Sequence, residues 1–208
     1  MKKIKVFVID DHAVVRLGLK LAFKLSPEME FVGELAGGGS AGAAVGRSGA
    51  DVTLLDIRMP KVDGLAALKD IRAADPAAKV VMLTTSGTDE SIFQALEAGA
   101  AGYVIKDVGS DAIVEAVRAV AAGGRYVPES VQMVYDRRKA APVLTPRESE
   151  ALKMMARGAS NKEVAKALGV SEACVKVHLR HVFEKLGVHD RIGAVRAAIQ
   201  RGLVDPEG

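Results

Sequence analysis

Cysteine and tryptophan are almost missing from this chain, with one Cys and no Trp in 208 residues. A lone Cys174 closes no internal disulfide, and with only four histidines scattered along the chain it builds no Cys/His zinc site. Long apolar runs are missing as well. The N-terminal "MKKIKVFVIDDH" starts basic, but its apolar run from Val6 to Ile9 stops at two acids, too short for a signal peptide. No run of about 18 apolar residues follows it. A leader, a membrane span and a structural metal are therefore not expected, whereas a cytoplasmic location is. Neither sign of charge dominates: the net charge is +3, on a background of 49% hydrophobic and 26% charged residues that is ordinary for a globular protein. That total hides an asymmetry. Residues 1–130 carry 15 Lys/Arg against 17 Asp/Glu, and residues 140–208 carry 11 against 8, with the basic "YDRRK" between them. A mildly acidic first part and a basic second part point to two modules, the second suited to a polyanion.

Glycine is plentiful, and one stretch rich in it raises the question of a nucleotide site. In "LAGGGSAGAAVGRSGAD", Leu35 to Asp51, Gly37, Gly39 and Gly42 spell G-x-G-x-x-G, and Ala41 to Ser48 miss a P-loop by its first Gly and its Lys. A dinucleotide fingerprint belongs in the first β-α turn, with an acid about 20 residues on. Here the first turn is the acidic "DDH", and the glycines follow the second strand. The stretch is instead expected to be a second helix written in Gly, Ala and Ser, each interior Gly costing up to ~1 kcal/mol relative to Ala. A short, frayed or mobile helix is expected over residues 37–49.

Strand-type apolar runs recur at 4–9, 31–35, 51–56, 79–85 and 101–106. Helix-patterned segments lie between and after them, at 13–25, 40–48, 64–74, 89–98 and 110–122. Alternation of this kind predicts a doubly wound, five-stranded parallel sheet with helices on both faces. Residues 125–142 read as a linker, with room for a helical turn before "DRRK". From Leu144 the pattern is all helical. "TPRE" at 145–148 and "SNKE" at 160–163 are capping boxes, Ser171 and Asp190 cap two further helices, and Gly158, Gly169, Gly187 and Gly202 stand at the stops.

In a parallel sheet, chemistry gathers at the carboxyl ends of the strands. Here those ends carry Asp10 and Asp11, Asp56, Thr84 and Lys106. Singly, each is usually bland, since an Asp-Asp pair before a helix caps it and a lone Lys is solvated. Together, four strand ends of five with these residues form a specific constellation. Converging carboxylates repel one another, and Mg2+ is the natural neutraliser: a hard cation that takes one or two carboxylates and bridges to a phosphoryl oxygen. A carboxylate beside it is a nucleophile toward phosphorus, with Thr84 and Lys106 placed to hold the incoming oxygens.

"VIDDH", "LLDIRMPKVDG", "VVMLTTSG" and "AGYVIKD" resemble the receiver domain of bacterial two-component response regulators, a flavodoxin-like fold, over residues 3 to about 122. The resemblance implies phosphorylation of Asp56 by a sensor histidine kinase. It also implies Mg2+ held by Asp11, Asp56 and the backbone carbonyl of Arg58, with Asp10 acting through water. Thr84 and Lys106 are then the switch residues, and Tyr103 the aromatic that swings inward behind Thr84. Met59, Pro60 and Gly64 shape the loop after the acceptor, and Asp107 stands where many receivers have Pro. The expected readout face spans residues 89–122, able to pair with another copy.

In "SEACVKVHLRHVFEKLG", Val175, Leu179, Val182 and Leu186 form a core stripe, leaving Ala173, Lys176, Val177, Arg180 and Glu184 on the opposite face. This layout suits a helix-turn-helix, although a merely solvated face fits the pattern equally well. Residues 144–204 resemble the LuxR-type helix-turn-helix. That resemblance implies base contacts to double-stranded DNA from Lys176, Val177 and Arg180, and phosphate contacts from Ser160, Asn161, Lys162, His178 and His181, with Lys185 a further candidate. Cys174 replaces the hydroxyl residue common at its position, either losing a hydrogen bond or acting as a small buried filler. The last helix, 191–201, resembles the one through which such domains pair on promoter half-sites. The chain as a whole resembles a NarL/FixJ-type transcriptional regulator, with a receiver at 1–124, a linker at 125–142 and the DNA-binding domain at 143–208. A homodimer when phosphorylated or on DNA is implied, and RNA polymerase is a further candidate partner. Two rivals remain at this point: an aspartate-nucleophile phosphatase, whose D-x-D after the first strand does not fit "DDH", and a DNA binder with a vestigial receiver.

Overall fold

The structure, a computed structural model, describes residues 3–60, 62–84, 88–106, 109–140 and 142–204. The chain divides into two compact units, one comprising Met1–Gly87 and Ser91–Tyr135, the other Thr88–Glu90 and Asp136–Gly208.

From the start of the chain the elements alternate: β1 (Ile4–Ile9), α1 (Ala13–Leu25), β2 (Met29–Leu35), α2 (Ala41–Ser48), β3 (Val52–Asp56), α3 (Gly64–Ala74), β4 (Val80–Thr84), α4 (Asp89–Glu97), β5 (Gly102–Ile105) and α5 (Ser110–Ala121). The strands pair in parallel in the order β2-β1-β3-β4-β5. The central strands are buried along their whole length, which is why their sequences run apolar instead of alternating. Successive side chains enter opposite faces. Phe7, Ile9, Leu55 and Met82 meet α2, α3 and α4 on one side. Val6, Val8, Leu54, Val81 and Leu83 meet α1 and α5 on the other. β2 starts earlier than its apolar run suggests, because Met29 is buried and pairs with Ile4 although Glu30 beside it is exposed.

The glycine-rich stretch forms a helix of eight residues, entered through a left-handed Ser40 and left through a left-handed Gly49. It is short, as expected, yet it packs closely. A Cβ on Gly42 would come 2.7 Å from the Asp70 carbonyl oxygen, and the Gly42 N–H donates to Asp70 Oδ2 at 2.8 Å. Small residues on this face thus let α2 approach α3, a requirement that the helix propensity scale leaves out.

The stretch read as a linker contains a further helix, α6 (Glu129–Ala140). Its charged end, "DRRK", masks an apolar first half in which Val131 is buried and Val134 and Tyr135 pack alongside, at helical spacing.

The second unit holds α7 (Pro146–Ala156), α8 (Asn161–Leu168), α9 (Glu172–Leu186) and α10 (Arg191–Gln200). Thr145 with Glu148 and Ser160 with Glu163 close two capping boxes, while Ser171 and Asp190 cap the other two helices. α8 and α9 both end on left-handed glycines, Gly169 and Gly187. Leu152, Met155, Val164, Val175, Leu179 and Val182 fill the core. Among the described residues, no helix is long and apolar enough to cross a membrane.

Candidate functional site

Three strands deliver the acidic site. β1 ends at Ile9, so Asp10, Asp11 and His12 form the turn into α1. β3 ends on Asp56 itself, and Lys106 directly follows β5. Ligand atoms of Asp10, Asp11, His12 and Asp56 all lie within 4.8 Å of one another. Asp10, Asp56 and Thr84 are buried. Lys106 Nζ lies 2.7 Å from Asp10 Oδ2 and 3.0 Å from Asp56 Oδ1, so one ammonium serves two carboxylates across the sheet edge. The acid pair does not cap α1: its N-cap is His12, which has no side-chain cap, and Asp10 Oδ1 instead accepts from the His12 N–H at 2.8 Å within the turn.

The electrostatics follow from burial. Burial pushes the Asp56 carboxyl above the ordinary carboxylate range; Lys106 opposes this, while Asp10 and Asp11 add to it. Burial alone would lower the Lys106 ammonium, but its hydrogen bonds to Asp10 and Asp56 outweigh that and hold it high. Asp11 Oδ1 is shut off from water and accepts no hydrogen bond, although His12 Nδ1 lies 2.9 Å away outside bonding geometry. A buried carboxylate oxygen left unmatched beside two further carboxylates is what a hard divalent cation satisfies, so the donor set fits one.

The loop after Asp56 folds back on its own strand. The Gly64 N–H donates to the Ile57 carbonyl at 2.8 Å, and a Cβ on Gly64 would overlap the Asp56 carbonyl oxygen. Only glycine permits that approach. Within this loop Met59 is buried and Arg58 is exposed. Tyr103 is buried on β5, its hydroxyl pushed up to about 12 by burial, with Ser91, Arg58 and Thr84 as polar neighbours. Asp107 lies outside the described residues.

Part of the expected readout face is already covered. Ile92, Ala95 and Leu96 of α4 share one buried cluster with Tyr103 and with Val131 of α6. A second copy therefore does not meet a bare α4; the chain's own α6 lies there.

In the second unit, Gly169 to Ser171 connect α8 to α9, and α9 buries Val175, Leu179, Val182 and Leu186. Lys176, Val177 and Arg180 are exposed on the opposite face, as the spacing predicts. Arg180 meets Glu184 only loosely, at 3.8 Å with both side chains largely exposed. Lys162 is exposed and Asn161 and His178 are half-buried. The remaining candidates have internal partners. The Ser160 hydroxyl is engaged with Glu163 in the capping box. His181 Nδ1 stands 3.7 Å from Glu148, and Lys185 donates to Glu148 Oε2 at 2.6 Å and to the Val143 carbonyl at 3.0 Å. Cys174 is exposed, not a buried filler, and its backbone N–H is held by Ser171 Oγ. Sequence reasoning missed Glu148 as a buried acid, and its capping-box position three residues after Thr145 was the available signal.

A doubly wound sheet with acids and a lysine at its carboxyl edge, carried in one chain with a helix-turn-helix, defines a two-domain regulator. Residues 6–118 match the response regulator receiver domain, and residues 142–198 match the bacterial regulatory proteins of the luxR family. The chain is 35% identical to the transcriptional regulatory protein DegU of Brevibacillus brevis, covering 97% of this chain and 95% of that one. It is also 35% identical to the nitrate/nitrite response regulator protein NarP of Escherichia coli strain K12, covering 95% of each. RcsB of Salmonella enterica serovar Typhimurium, solved on a promoter with the phosphomimetic BeF3−, superposes with a TM-score of 0.71 at 25% identity over 96% of this chain and 99% of that one. This chain belongs to the response regulators that join a receiver domain to a LuxR-type DNA-binding domain, and it is a transcriptional regulator.

Proposed function

We propose that Asp56 accepts a phosphoryl group from a histidine kinase and that the modified chain binds paired promoter half-sites through α9. The observation that carries this is the bridging of Asp10 and Asp56 by Lys106, with buried Thr84 at the intervening strand end. Asp11, Asp56 and the Arg58 carbonyl would hold Mg2+, with Asp10 acting through water; the ion would offset the carboxylate charges and draw on the phosphoryl oxygens. The Asp56 oxygen not engaged by Lys106 attacks phosphorus, the P–N bond of the phosphohistidine breaks, and neutral imidazole departs after taking up a proton. Lys106 then transfers from the carboxylate to a phosphoryl oxygen and Thr84 donates to another.

The kinase reading has a second support in α1. Val14, Leu17, Leu21 and Leu25 form one exposed apolar stripe that starts beside Asp11, on a helix with Arg16, Lys20 and Lys24 and no acid. A donor helix with apolar residues flanked by acids fits that face. In the DNA half, Lys176 and Arg180 would read base edges, exposed Val177 would meet a thymine methyl, and Lys162 with Asn161 and His178 would contact phosphates. RNA polymerase is a further proposed partner.

One experiment tests the phosphoacceptor. With Mg2+ and acetyl phosphate, the intact chain is expected to gain one phosphoryl by mass and Asp56→Ala none. Leu17→Glu is expected to keep transfer from acetyl phosphate and to slow transfer from the kinase. Addition that persists in Asp56→Ala, or none on the intact chain, overturns the assignment.

A further inference from the structure

Two observations outside the acidic site converge on Tyr103. The first is at the sheet edge. β5 is the outermost strand, and an outermost strand normally leaves backbone groups unpaired. Here the chain after α5 returns and fills part of that edge. The Tyr103 N–H donates to the Tyr126 carbonyl at 2.8 Å, and the Tyr126 N–H donates to the Ala101 carbonyl at 3.1 Å, making a parallel bridge at Gly102. The bridge lies on the switch aromatic's own backbone. The second is on α4. Val131 is 2% exposed, in the same buried cluster as Tyr103, Ile92 and Leu96. Tyr135 stacks on Phe93 with ring centroids 5.7 Å apart, and its hydroxyl donates to Glu97 Oε1 at 2.6 Å.

We propose that the segment from Tyr126 to Tyr135 is a strap that holds Tyr103 in its buried position, so that strap docking and phosphoryl occupancy at Asp56 reinforce each other. This rests on the phosphoacceptor reading above. Shared space and shared backbone bonds tie the strap to Tyr103. Tyr103 and Thr84 lie on adjacent paired strands, and Tyr103 and Val131 belong to one buried cluster. Outward movement of Tyr103 vacates volume in the cluster that Val131 helps to close, while the backbone bridge to Tyr126 fixes the strap to the same strand. A phosphoryl group that draws Thr84 toward its oxygens favours the inward Tyr103, and therefore the docked strap. Reciprocity then requires the docked strap to favour the phosphoryl group by the same factor.

Beryllofluoride with Mg2+ serves as the probe, on the full chain, by hydrogen exchange and by titration. In the intact protein, beryllofluoride is expected to slow amide exchange across residues 126–135 as well as around Asp56. Val131→Asp, which inserts a charge under the strap, and Tyr135→Ala, a milder change at a half-buried site, are each expected to weaken apparent beryllofluoride affinity. For Val131→Asp the loss is expected to be about tenfold, inside the usual range for coupled sites. Cooperative thermal unfolding verifies that each variant folds, and Tyr135→Ala carries the test if Val131→Asp does not. Beryllofluoride binding that leaves exchange at 126–135 unchanged, or folded variants that bind it as the intact protein does, overturns the strap. No beryllofluoride binding to the intact protein overturns the phosphoacceptor reading itself, and the coupling with it.

Discussion

At the scale of single residues, Glu148 shows how one carboxylate serves two structural ends. Its backbone N–H and its side chain close the cap with Thr145, and its Oε2 accepts from Lys185 at 2.6 Å while 4% of the residue is exposed. Burial would raise this carboxyl, but the bonds from Lys185 and Thr145 outweigh it and hold it below its ordinary value of 4.5. The sign follows: a carboxyl depressed in the folded state contributes stability above the unfolded value, and that contribution is lost as pH falls through the folded one. Glu148→Gln is expected to cost about 1.5–3 kcal/mol near neutrality, the range for a hydrogen bond with a charged partner. The gap to the intact protein is expected to shrink below pH 4.5 in thermal melts. An equal gap at pH 7 and pH 3 would contradict this origin. The acids and lysine of the proposed phosphoacceptor site are legible because strand ends in a parallel sheet are fixed by the apolar runs before them. The internal partners of Lys185 and Ser160 were not, because a cation or hydroxyl on a polar helix face has the same pattern whether it meets solvent or a neighbouring helix.

At the scale of elements, α2 separates what a glycine costs from what it permits. Gly46 has nothing within 4 Å of where a Cβ would stand, whereas at Gly42 a Cβ would meet the Asp70 backbone oxygen at 2.7 Å. Gly46→Ala is expected to stabilise the protein by about 0.5–1 kcal/mol through helix propensity alone. Gly42→Ala gains the same propensity but pushes α2 off α3, for a net loss of about 1–2 kcal/mol in the range of overpacking. Chemical denaturation of the two single variants checks the opposite signs; two stabilised variants would return α2 to the weak, loosely held helix that its composition suggests. The same distinction explains why the sequence of α6 reads as a linker. Val131, Val134 and Tyr135 carry helical spacing, but four charged residues in a row from Asp136 to Lys139 dilute the apolar signal over so short a helix. Caps fared better, since "TPRE" and "SNKE" specify a backbone geometry within four residues and need no tertiary partner.

At the scale of the whole molecule, two copies of α9 on paired half-sites, as proposed above, would bind DNA more tightly than one, and α10 offers an exposed apolar face to join them. Ile192 is 77% exposed, and Ile199 lies two turns along the same helix. Neither belongs to the buried core of its unit, which α10 supplies through Ala194 and Ala198 instead. Ile192→Glu therefore leaves the fold intact and sets like charges against each other if two α10 helices meet. Binding to a single half-site is expected to stay within about twofold of the intact protein, because α9 is untouched. Binding to the paired site is expected to fall at least tenfold, since the second copy then binds without the gain in effective concentration that pairing confers. Both are measured by titration at one fixed salt concentration, because counterion release makes affinities at different salt incomparable. Equal losses on single and paired sites would show that Ile192 touches DNA or supports α9; no loss on either would place the pairing surface on another element.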